Sequence, residues 1–167
     1  MQQISRQTFF ETFSDSNTGE DMKKYLEETL SADKLTAELN DKGSEFYFVQ
    51  LDERVVGYLK LNFGQSQTEL QEENGLEIER IYVLREFHGK SIGQQLYDKA
   101  IRIAKEKKAD YVWLGVWEEN RRAMRFYQKN GFVAFDKHIF KLGNDEQTDI
   151  MMKLQLDRAG KSGRLGV

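Results

Sequence analysis

One stretch of the sequence decides the fold: Asn120-Arg121-Arg122-Ala123-Met124-Arg125-Phe126-Tyr127-Gln128-Lys129-Asn130-Gly131-Phe132. Asn120 can cap the start of a helix, because its side-chain oxygen accepts a free backbone N–H of the first turn. Apolar residues then recur at the spacing of one helix face, and Asn130-Gly131 suits the left-handed conformation in which many helices end. Taken singly, Phe126 and Tyr127 are typical core aromatics, so their meaning depends on the whole pattern.

A second informative segment runs from a predicted strand through a small-residue loop into a helix: Tyr82-Val83-Leu84-Arg85-Glu86-Phe87-His88-Gly89-Lys90-Ser91-Ile92-Gly93. The first backbone N–H groups of a helix have no partner within it, and together with the helix dipole they favour an anion such as pyrophosphate. Glycine lets a ligand approach the backbone closely. An ordinary loop at the start of a helix has the same spacing, so this segment alone leaves both interpretations open.

Together, the two segments resemble the GNAT superfamily of N-acetyltransferases. Residues 120–132 match its pattern Asn-x-x-Ala-x-x-Phe-Tyr-x-x-x-Gly-Phe throughout. Residues 88–93 resemble its acetyl-CoA signature, an Arg or Gln followed by x-x-Gly-x-Gly or Ala, with His88 at the first position and Ser91 in place of the middle glycine. The resemblance implies an α/β (α+β) fold with a mixed, mostly antiparallel twisted sheet and helices on both faces. It also implies that the fourth and fifth strands splay apart around the pantetheine arm of coenzyme A.

The resemblance further implies a donor site for acetyl-CoA as co-substrate, without a metal. Backbone groups of the strand before the loop bind the thioester arm, and Asn120 contacts the pantetheine. Tyr127 is the acid that protonates the departing thiolate, since a tyrosine with a pKa of about 10 is protonated at neutral pH. Lys129 is the preferred contact for the 3′-phosphate. The expected donor-binding residues are Ile81, Tyr82, Val83, His88, Gly89, Lys90, Ser91, Ile92, Gly93, Asn120, Ala123, Tyr127 and Lys129.

The strand predicted over residues 76–83 has a break in its own pattern. Its apolar residues form two pairs of opposite parity, Leu76 with Ile78 and Ile81 with Val83. Both pairs cannot face one core along an unbroken strand, because side chains alternate strictly between the two faces. An extra residue near Glu79-Arg80, a β-bulge, would reconcile the pairs and splay the ladder locally. The residues thus predict independently the bulge that the resemblance implies.

An amine that accepts an acetyl group needs a base. An alkylamine has a pKa of about 10.4, so holding it neutral at pH 7 costs roughly 4.6 kcal/mol. Glu79, on the predicted bulge, is the candidate base, and Glu77 and Glu118 are alternatives, although each carboxylate could also be a solvated charge. With an aromatic wall added, the expected substrate-binding residues are Glu77, Glu79, Trp117 and Glu118. Because the chain has no cysteine, direct attack in a ternary complex is predicted.

Three further segments resemble the PaiA-type spermidine/spermine acetyltransferases: Leu76-Glu77-Ile78-Glu79-Arg80-Ile81-Tyr82, Trp113-Leu114-Gly115-Val116-Trp117-Glu118 and Asp145-Glu146-Gln147-Thr148-Asp149. A polyamine is therefore the expected acceptor. Two alternatives stay open at this point. One is a protein or peptide acetyltransferase that acts on N-termini or lysines, and the other is a noncatalytic, regulatory module that binds coenzyme A.

Composition sets the class of protein and its partners. With 167 residues and 39% hydrophobic content, the chain fits one domain, predicted over residues 1–156 and followed by a flexible tail over 157–167. A net charge of −3 lacks the basic excess of a nucleic-acid binder. No apolar run is long enough for a membrane span. We therefore expect a cytoplasmic protein whose partner is a small amine.

The remaining pattern predicts two helices within residues 1–39, strands at Phe46–Leu51 and Val55–Asn62, a helix from Ile92 to about Lys108, a strand at Tyr111–Trp117, and a final hairpin of Phe132–Leu142 with Thr148–Leu154. GNAT domains usually open with a strand, whereas this chain begins inside what resembles their first helix. Either the true start lies upstream or the sheet lacks its first strand. In the second case the neighbouring edge is bare and can pair with another chain, so both a monomer and a homodimer are expected possibilities.

Overall fold

The computed structural model describes residues 1–157, which form five α-helices and a six-stranded sheet. The helices are α1 (Gln2–Phe13), α2 (Gly19–Thr29), α3 (Ala32–Asn40), α4 (Ile92–Glu106) and α5 (Arg121–Lys129). The strands are β1 (Ser44–Leu51), β2 (Arg54–Phe63), β3 (Gly75–Val83), β4 (Tyr111–Trp117), β5 (Val133–Leu142) and β6 (Asp145–Gln155). They lie in the order β1-β2-β3-β4-β6-β5. Only β3 and β4 are parallel, which confirms the predicted mixed, mostly antiparallel α/β fold.

The prediction of two helices before the first strand is wrong, because this segment forms three. The second predicted helix ends at Leu30, whose ψ of 33° lies outside the helical range. Ser31 then caps a new helix, and its Oγ accepts a hydrogen bond from the Lys34 N–H at 3.3 Å. Serine favours a cap over a helix interior because its hydroxyl competes for backbone hydrogen bonds. The break lets α3 contact β1 while α2 contacts β5 at the opposite edge.

The two faces of the sheet differ in composition. Residues of β2, β3 and β4 that point toward α4 form the main apolar core, which includes Leu59, Leu61, Leu76, Ile78, Val112 and Leu114. Because side chains alternate along a strand, the residues between them point toward α1, α2 and α3. This second face carries the buried polar residues Lys60, Asn62 and Glu77 beside a smaller cluster that includes Phe9 and Phe13. Polar chemistry is therefore concentrated on one side of the sheet.

The sheet opens between β3 and β4. The two strands pair only over three residues each, Gly75 to Glu77 with Tyr111 to Trp113. On the other side of β3, Lys60 pairs with Arg80 and Leu61 with Ile78, so Glu79 is an extra residue in the ladder. This bulge confirms the prediction made from the parity of the apolar residues. The splayed pair is the third and fourth strand here, because no strand precedes α1 within residues 1–157.

Two further predictions concern the edge of the sheet and the C-terminal tail. β1 is an edge strand, with β2 as its single sheet neighbour among the residues that the structure describes. Most of the predicted tail, from residue 158 onward, lies outside those residues. Within them, no helix has both the length and the apolar character needed to cross a membrane.

Candidate active site

The gap between β3 and β4 exposes backbone groups inside the sheet. The Leu84 N–H donates to the Val56 carbonyl on β2 at 2.9 Å. Since backbone groups alternate in direction along a strand, those of Ile81 and Val83 point the other way, into the gap. Across the gap, Gly115 is exposed although it lies in the middle of β4. A ligand with an amide-bearing chain can therefore pair with β3 as a neighbouring strand would.

One cavity of about 400 Å³ occupies this gap and extends to the N-termini of α4 and α5. We call it the donor cavity, because most of the predicted donor-binding residues line it: Ile81, Tyr82, Val83, His88, Gly89, Ser91, Ile92, Gly93, Asn120, Ala123 and Tyr127. Lys90 and Lys129 do not. Lys90 lies over the Phe87 ring, with its Nζ 5.1 Å from the ring centroid, and Lys129 is in the last turn of α5, away from the end that faces the cavity.

The loop before α4 presents a run of unpaired backbone N–H groups, an arrangement that can bind an anion. Six consecutive N–H groups, Gly89 to Gln94, have no acceptor within residues 1–157, and the first helical hydrogen bond runs from the Gln95 N–H to the Ser91 carbonyl. Gly89 and Ser91 have positive φ angles of 78° and 61°. Ser91 therefore adopts the left-handed conformation that explains why the family prefers glycine at its position. The serine retains the turn at some cost in strain.

His88 is held at the cavity wall by both ring nitrogens. Its Nε2 lies 2.9 Å from the Val83 carbonyl, and its Nδ1 contacts the Arg122 guanidinium. A carbonyl can only accept a hydrogen bond and a guanidinium can only donate one, so Nε2 carries the proton and Nδ1 accepts from Arg122. Arg122 also lines the donor cavity, so among the cationic residues of α5 it is this arginine, and not the preferred Lys129, that lies there. The histidine thus orients a cation toward the site rather than presenting a free ring nitrogen.

Two residues of α5 complete the donor cavity. The Asn120 Oδ1 accepts a hydrogen bond from the Ala123 N–H at 3.2 Å, which confirms the predicted cap and leaves the side-chain Nδ2 as a donor. Tyr127 is 7% exposed and packs against the rings of Phe126 and Phe132. Burial, and to a lesser extent Tyr97, raises the pKa of Tyr127 above its ordinary value. Its hydroxyl is therefore protonated at neutral pH.

A second cavity of about 310 Å³ lies on the polar face of the sheet, between the strands and the helices α1 and α2. We call it the acceptor cavity, because the predicted substrate-binding residues Glu77, Glu79 and Trp117 line it. Glu118 lines neither cavity. The two cavities meet at the β3–β4 gap and share six lining residues: Phe13, Ile78, Glu79, Tyr82, Gly115 and Trp117.

The charge of Glu79 is balanced by a compact network. Glu79 forms ion pairs with Lys60 and with Arg80, the second at 3.5 Å. Arg80 also donates two hydrogen bonds to Glu38, at 2.8 and 2.9 Å. Burial alone would raise the pKa of Glu79, but Arg80 and Lys60 outweigh it, and the net pKa is lowered. Two carboxylates and two cations thus neutralise one another beneath the bulge.

Glu77 has a different role. Its carboxylate accepts hydrogen bonds from the Thr68 N–H at 2.8 Å, the Thr68 hydroxyl at 2.5 Å and the Asn62 side chain at 2.9 Å. Burial raises the pKa of Glu77 despite these hydrogen bonds. The contacts tie the loop before β3 to the strands, so they position the rim of the acceptor cavity.

Sequence reasoning missed Asp149 of β6. This carboxylate lines the acceptor cavity and lies over the gap, with its Oδ2 3.6 Å from the place where a Cβ on Gly115 would stand. Among residues 1–157, none donates a hydrogen bond to it or forms an ion pair with it. Burial raises the pKa of Asp149, and the charge of His138 offsets this only in part. Only the segment around Asp149 had been noted, as a family resemblance.

The comparisons with known proteins agree with this geometry. Residues 4–132 match the Acetyltransferase (GNAT) family. An uncharacterized N-acetyltransferase of Lactobacillus delbrueckii subsp. lactis is 46% identical over 153 residues, which cover 92% of this chain and 88% of that protein. A spermidine N(1)-acetyltransferase of Thermoplasma acidophilum is 26% identical over 138 residues, covering 80% and 81%.

Among solved structures, a PaiA N-acetyltransferase of Thermoplasma acidophilum, crystallised in complex with coenzyme A, has a TM-score of 0.74. It is 24% identical, and the match covers 93% of this chain and 90% of that one. At this identity the likeness shows the fold. The family match, the relative at 46% identity, the open β3–β4 pair and the free amides before α4 lead to one conclusion. This chain belongs to the GNAT family of acetyl-CoA-dependent N-acetyltransferases.

Proposed function

We propose that this enzyme transfers acetyl from acetyl-CoA to a small primary amine, and that a polyamine such as spermidine or spermine is the first acceptor to test. The observation that carries the proposal is the meeting of the two cavities at the β3–β4 gap. One cavity offers backbone donors for phosphates and for an amide-bearing chain. The other is lined by carboxylates and aromatic rings, which suit a cationic amine. Their shared residues bring the two substrates into reach of each other.

The donor cavity fits coenzyme A. The free N–H groups of Gly89 to Gln94 suit the pyrophosphate, because the start of α4 adds a favourable dipole. Backbone groups of Ile81 and the Val83 N–H face the gap where the pantetheine arm would lie, whereas the Val83 carbonyl is held by His88, and Asn120 keeps a free amide donor beside the gap. Arg122, oriented by His88, is suited to a phosphate, and Lys129 stays a prediction for the 3′-phosphate. Bound acetyl-CoA supplies the acetyl group as a thioester.

The residues of the chain provide acid catalysis and orientation. Tyr127 lines the donor cavity with a protonated hydroxyl, so it can give a proton to the leaving sulfur. Backbone N–H groups at the bulged strand can hold the carbonyl oxygen, where charge develops during attack. The apolar walls Ile78, Leu114 and Val116 limit water near the reacting atoms. Direct attack by the amine requires no covalent enzyme intermediate.

The size and walls of the acceptor cavity favour a small amine over a peptide. Residues of α1 and α2, together with the residue that caps the end of α2, close the cavity over the sheet: Ser5, Phe9, Phe13, Tyr25, Thr29 and Leu30. A volume of about 310 Å³ under this cover suits a short chain better than an extended backbone. The spermidine acetyltransferase among the relatives supports a polyamine as the acceptor.

The proposal is tested by measuring coenzyme A release from acetyl-CoA with spermidine, spermine, simple alkylamines and a panel of lysine and N-terminal peptides. We expect thiol release with the small amines and little with the peptides. Binding of coenzyme A is measured in parallel by calorimetry. Binding of the donor without transfer to any amine would contradict catalysis and favour a regulatory module. Preference for peptides would contradict the proposed acceptor class.

A further inference from the structure

None of the three predicted carboxylates is suited to act as the base for the acceptor amine. Glu79 was the sequence-based candidate, but Lys60 and Arg80 already neutralise its charge. A carboxylate held ionised by two cations is a weak proton acceptor, since a useful base at neutral pH needs a pKa near 7. Glu77 already accepts three hydrogen bonds that hold it against Thr68 and Asn62, and Glu118 lies outside the acceptor cavity. Another group must therefore meet the amine.

We propose that Asp149 binds the ammonium group of the acceptor and takes its proton before attack. This inference rests on the proposed function and names a catalytic residue for it. Asp149 lies on β6 opposite Trp117 of β4, beyond the point where β3 and β4 separate. Its carboxylate faces Gly115, which borders both cavities. An ammonium held there stands on the acceptor side of the same gap that receives the thioester arm.

Trp117 is the cross-strand neighbour of Asp149 and forms an aromatic wall of the same cavity. The Trp117 Nε1 is buried and lacks a hydrogen-bond partner among residues 1–157. Trp117 lines both cavities, and its ring packs against Phe13 with centroids 5.0 Å apart. The two side chains belong to directly opposite residues of β4 and β6 on one face of the sheet, so an ammonium group that reaches Asp149 also meets the Trp117 ring.

The charged and titratable groups around Asp149 agree with a cation site. His138 faces it from β5, and Glu69 faces it from the loop before β3, where the two are paired at 2.8 Å. The Tyr25 phenol of α2 is the group from the helical cover. The groups of β3 that line the same cavity are Glu77, Glu79 and Arg80. Glu79 and Arg80 belong to a neutral network, and Glu77 accepts three hydrogen bonds from neutral donors, so Asp149 is the carboxylate of this cavity with neither an ion pair nor a hydrogen bond among residues 1–157.

The proposed step balances in atoms and charge. An alkylammonium gives one proton to the Asp149 carboxylate, and the freed lone pair forms the C–N bond to the acetyl carbon. As the C–S bond breaks, its electron pair leaves on sulfur, which takes a proton from Tyr127. The second nitrogen proton returns to the Tyr127 phenolate, and Asp149 releases its proton to water. The products are an acetamide, a free thiol and one proton.

The test compares wild type with Asp149→Asn, which keeps the shape of the side chain and removes the base. We expect kcat/KM for spermidine at pH 7 to fall by about 10²-fold, the usual effect of losing a general base. The deficit should shrink toward pH 10, where the amine is itself neutral, and with trifluoroethylamine, which is neutral at pH 7. Affinity for coenzyme A should be unchanged. Asp145→Asn makes the same change on the same strand outside both cavities and should retain wild-type activity.

A stability measurement keeps the proposal testable without turnover. A carboxyl whose pKa is raised by folding destabilises the folded protein as pH rises, because ionising it costs more free energy in the folded state than in the unfolded state. Asp149→Asn should therefore melt at a higher temperature than wild type at pH 8, whereas a structural carboxylate would leave the variant less stable.

The outcomes separate the two claims. If wild type transfers acetyl to amines while Asp149→Asn keeps its kcat/KM and pH profile, the role of Asp149 is wrong and the proposed function stands. The same holds if the deficit is equal at all pH values and for both amines, which indicates mere loss of fit. If wild type transfers acetyl to no amine, the proposed function fails and the role of Asp149 fails with it.

Discussion

The donor cavity and the acceptor cavity are built in different ways. The donor cavity depends on backbone groups of two contiguous segments, residues 81–94 and 120–127, which carry the family pattern. The acceptor cavity is assembled from side chains of α1, α2, β3, β4, β5 and β6, which are far apart in the sequence. A site made of backbone tolerates changes of side chain, whereas a site made of scattered side chains can be altered one residue at a time. The difference explains how one family can keep its donor and change its acceptor.

The largest expected effect is at Tyr127, which is proposed to act in acetyl transfer and not in binding of the donor. Tyr127→Phe removes the hydroxyl and leaves the ring in its packed position, so we expect kcat to fall by about 10² to 10³-fold. Affinity for coenzyme A should change less than threefold, because the donor is held by backbone groups. Steady-state kinetics and calorimetry measure the two effects.

An equal loss of turnover and donor affinity in Tyr127→Phe would contradict the role of the hydroxyl as acid. Tyr97→Phe is a matched control, because Tyr97 also belongs to the core around α5 but does not line the donor cavity. This control variant should keep its turnover.

Within the acceptor cavity, Glu79→Gln and Asp149→Asn should change the stability of the protein in opposite directions. Glu79→Gln leaves Lys60 and Arg80 with one carboxylate fewer, so we expect the free energy of unfolding at pH 7 to fall by about 2 kcal/mol. A carboxyl with a lowered pKa contributes stability above its unfolded pKa and loses it as pH falls through its folded pKa. The penalty should therefore shrink in acid, as chemical denaturation at several pH values will show.

Glu28→Gln, at an exposed position of α2, is the control for Glu79 and should change stability by less than about 0.5 kcal/mol. A Glu79→Gln variant that folds as stably as wild type, yet loses its pH-dependent base, would restore Glu79 as the catalytic carboxylate.

The smallest expected effect is at Ser91 of the donor loop. Its φ of 61° costs a residue with a side chain about 1 kcal/mol, which glycine avoids, although glycine also gains freedom in the unfolded chain. We expect Ser91→Gly to raise the free energy of unfolding by about 0.5 kcal/mol and to keep its affinity for coenzyme A. Thermal unfolding and calorimetry measure both quantities.

Ser91→Ala keeps the strained turn and removes only the hydroxyl, so it should match wild type in donor affinity. If both Ser91 variants lose affinity to the same degree, the hydroxyl binds a phosphate, and the donor loop does not act through its backbone alone.

The fold and the donor cavity could be predicted because their signals are local. The parity break along β3 predicts the bulge at Glu79, since the alternation of side chains depends only on neighbouring residues. The cap at Asn120 and the loop before α4 likewise depend on contiguous residues. The break at Ser31 was missed because the apolar spacing of α2 continues into α3, and a single cap decided the outcome.

The acceptor cavity could be predicted only in part. Glu77, Glu79 and Trp117 line it as expected, but the sequence does not reveal that Lys60 and Glu38 neutralise the region around Glu79. Asp149 escaped notice because it lies in a strand with no distinctive spacing. Its importance depends on its distance from Gly115, a residue 34 positions earlier, and only the packing of β6 against β4 brings the two together.

A crystal structure with bound coenzyme A tests the central claim most directly, namely that the thioester passes through the β3–β4 gap to meet the acceptor cavity. We predict the pantetheine beside Ile81 and Val83, the sulfur near Gly115 and the pyrophosphate on the amides of Gly89 to Gln94. Coenzyme A bound elsewhere, or β3 and β4 paired along their full length with no chain between them, would contradict the account.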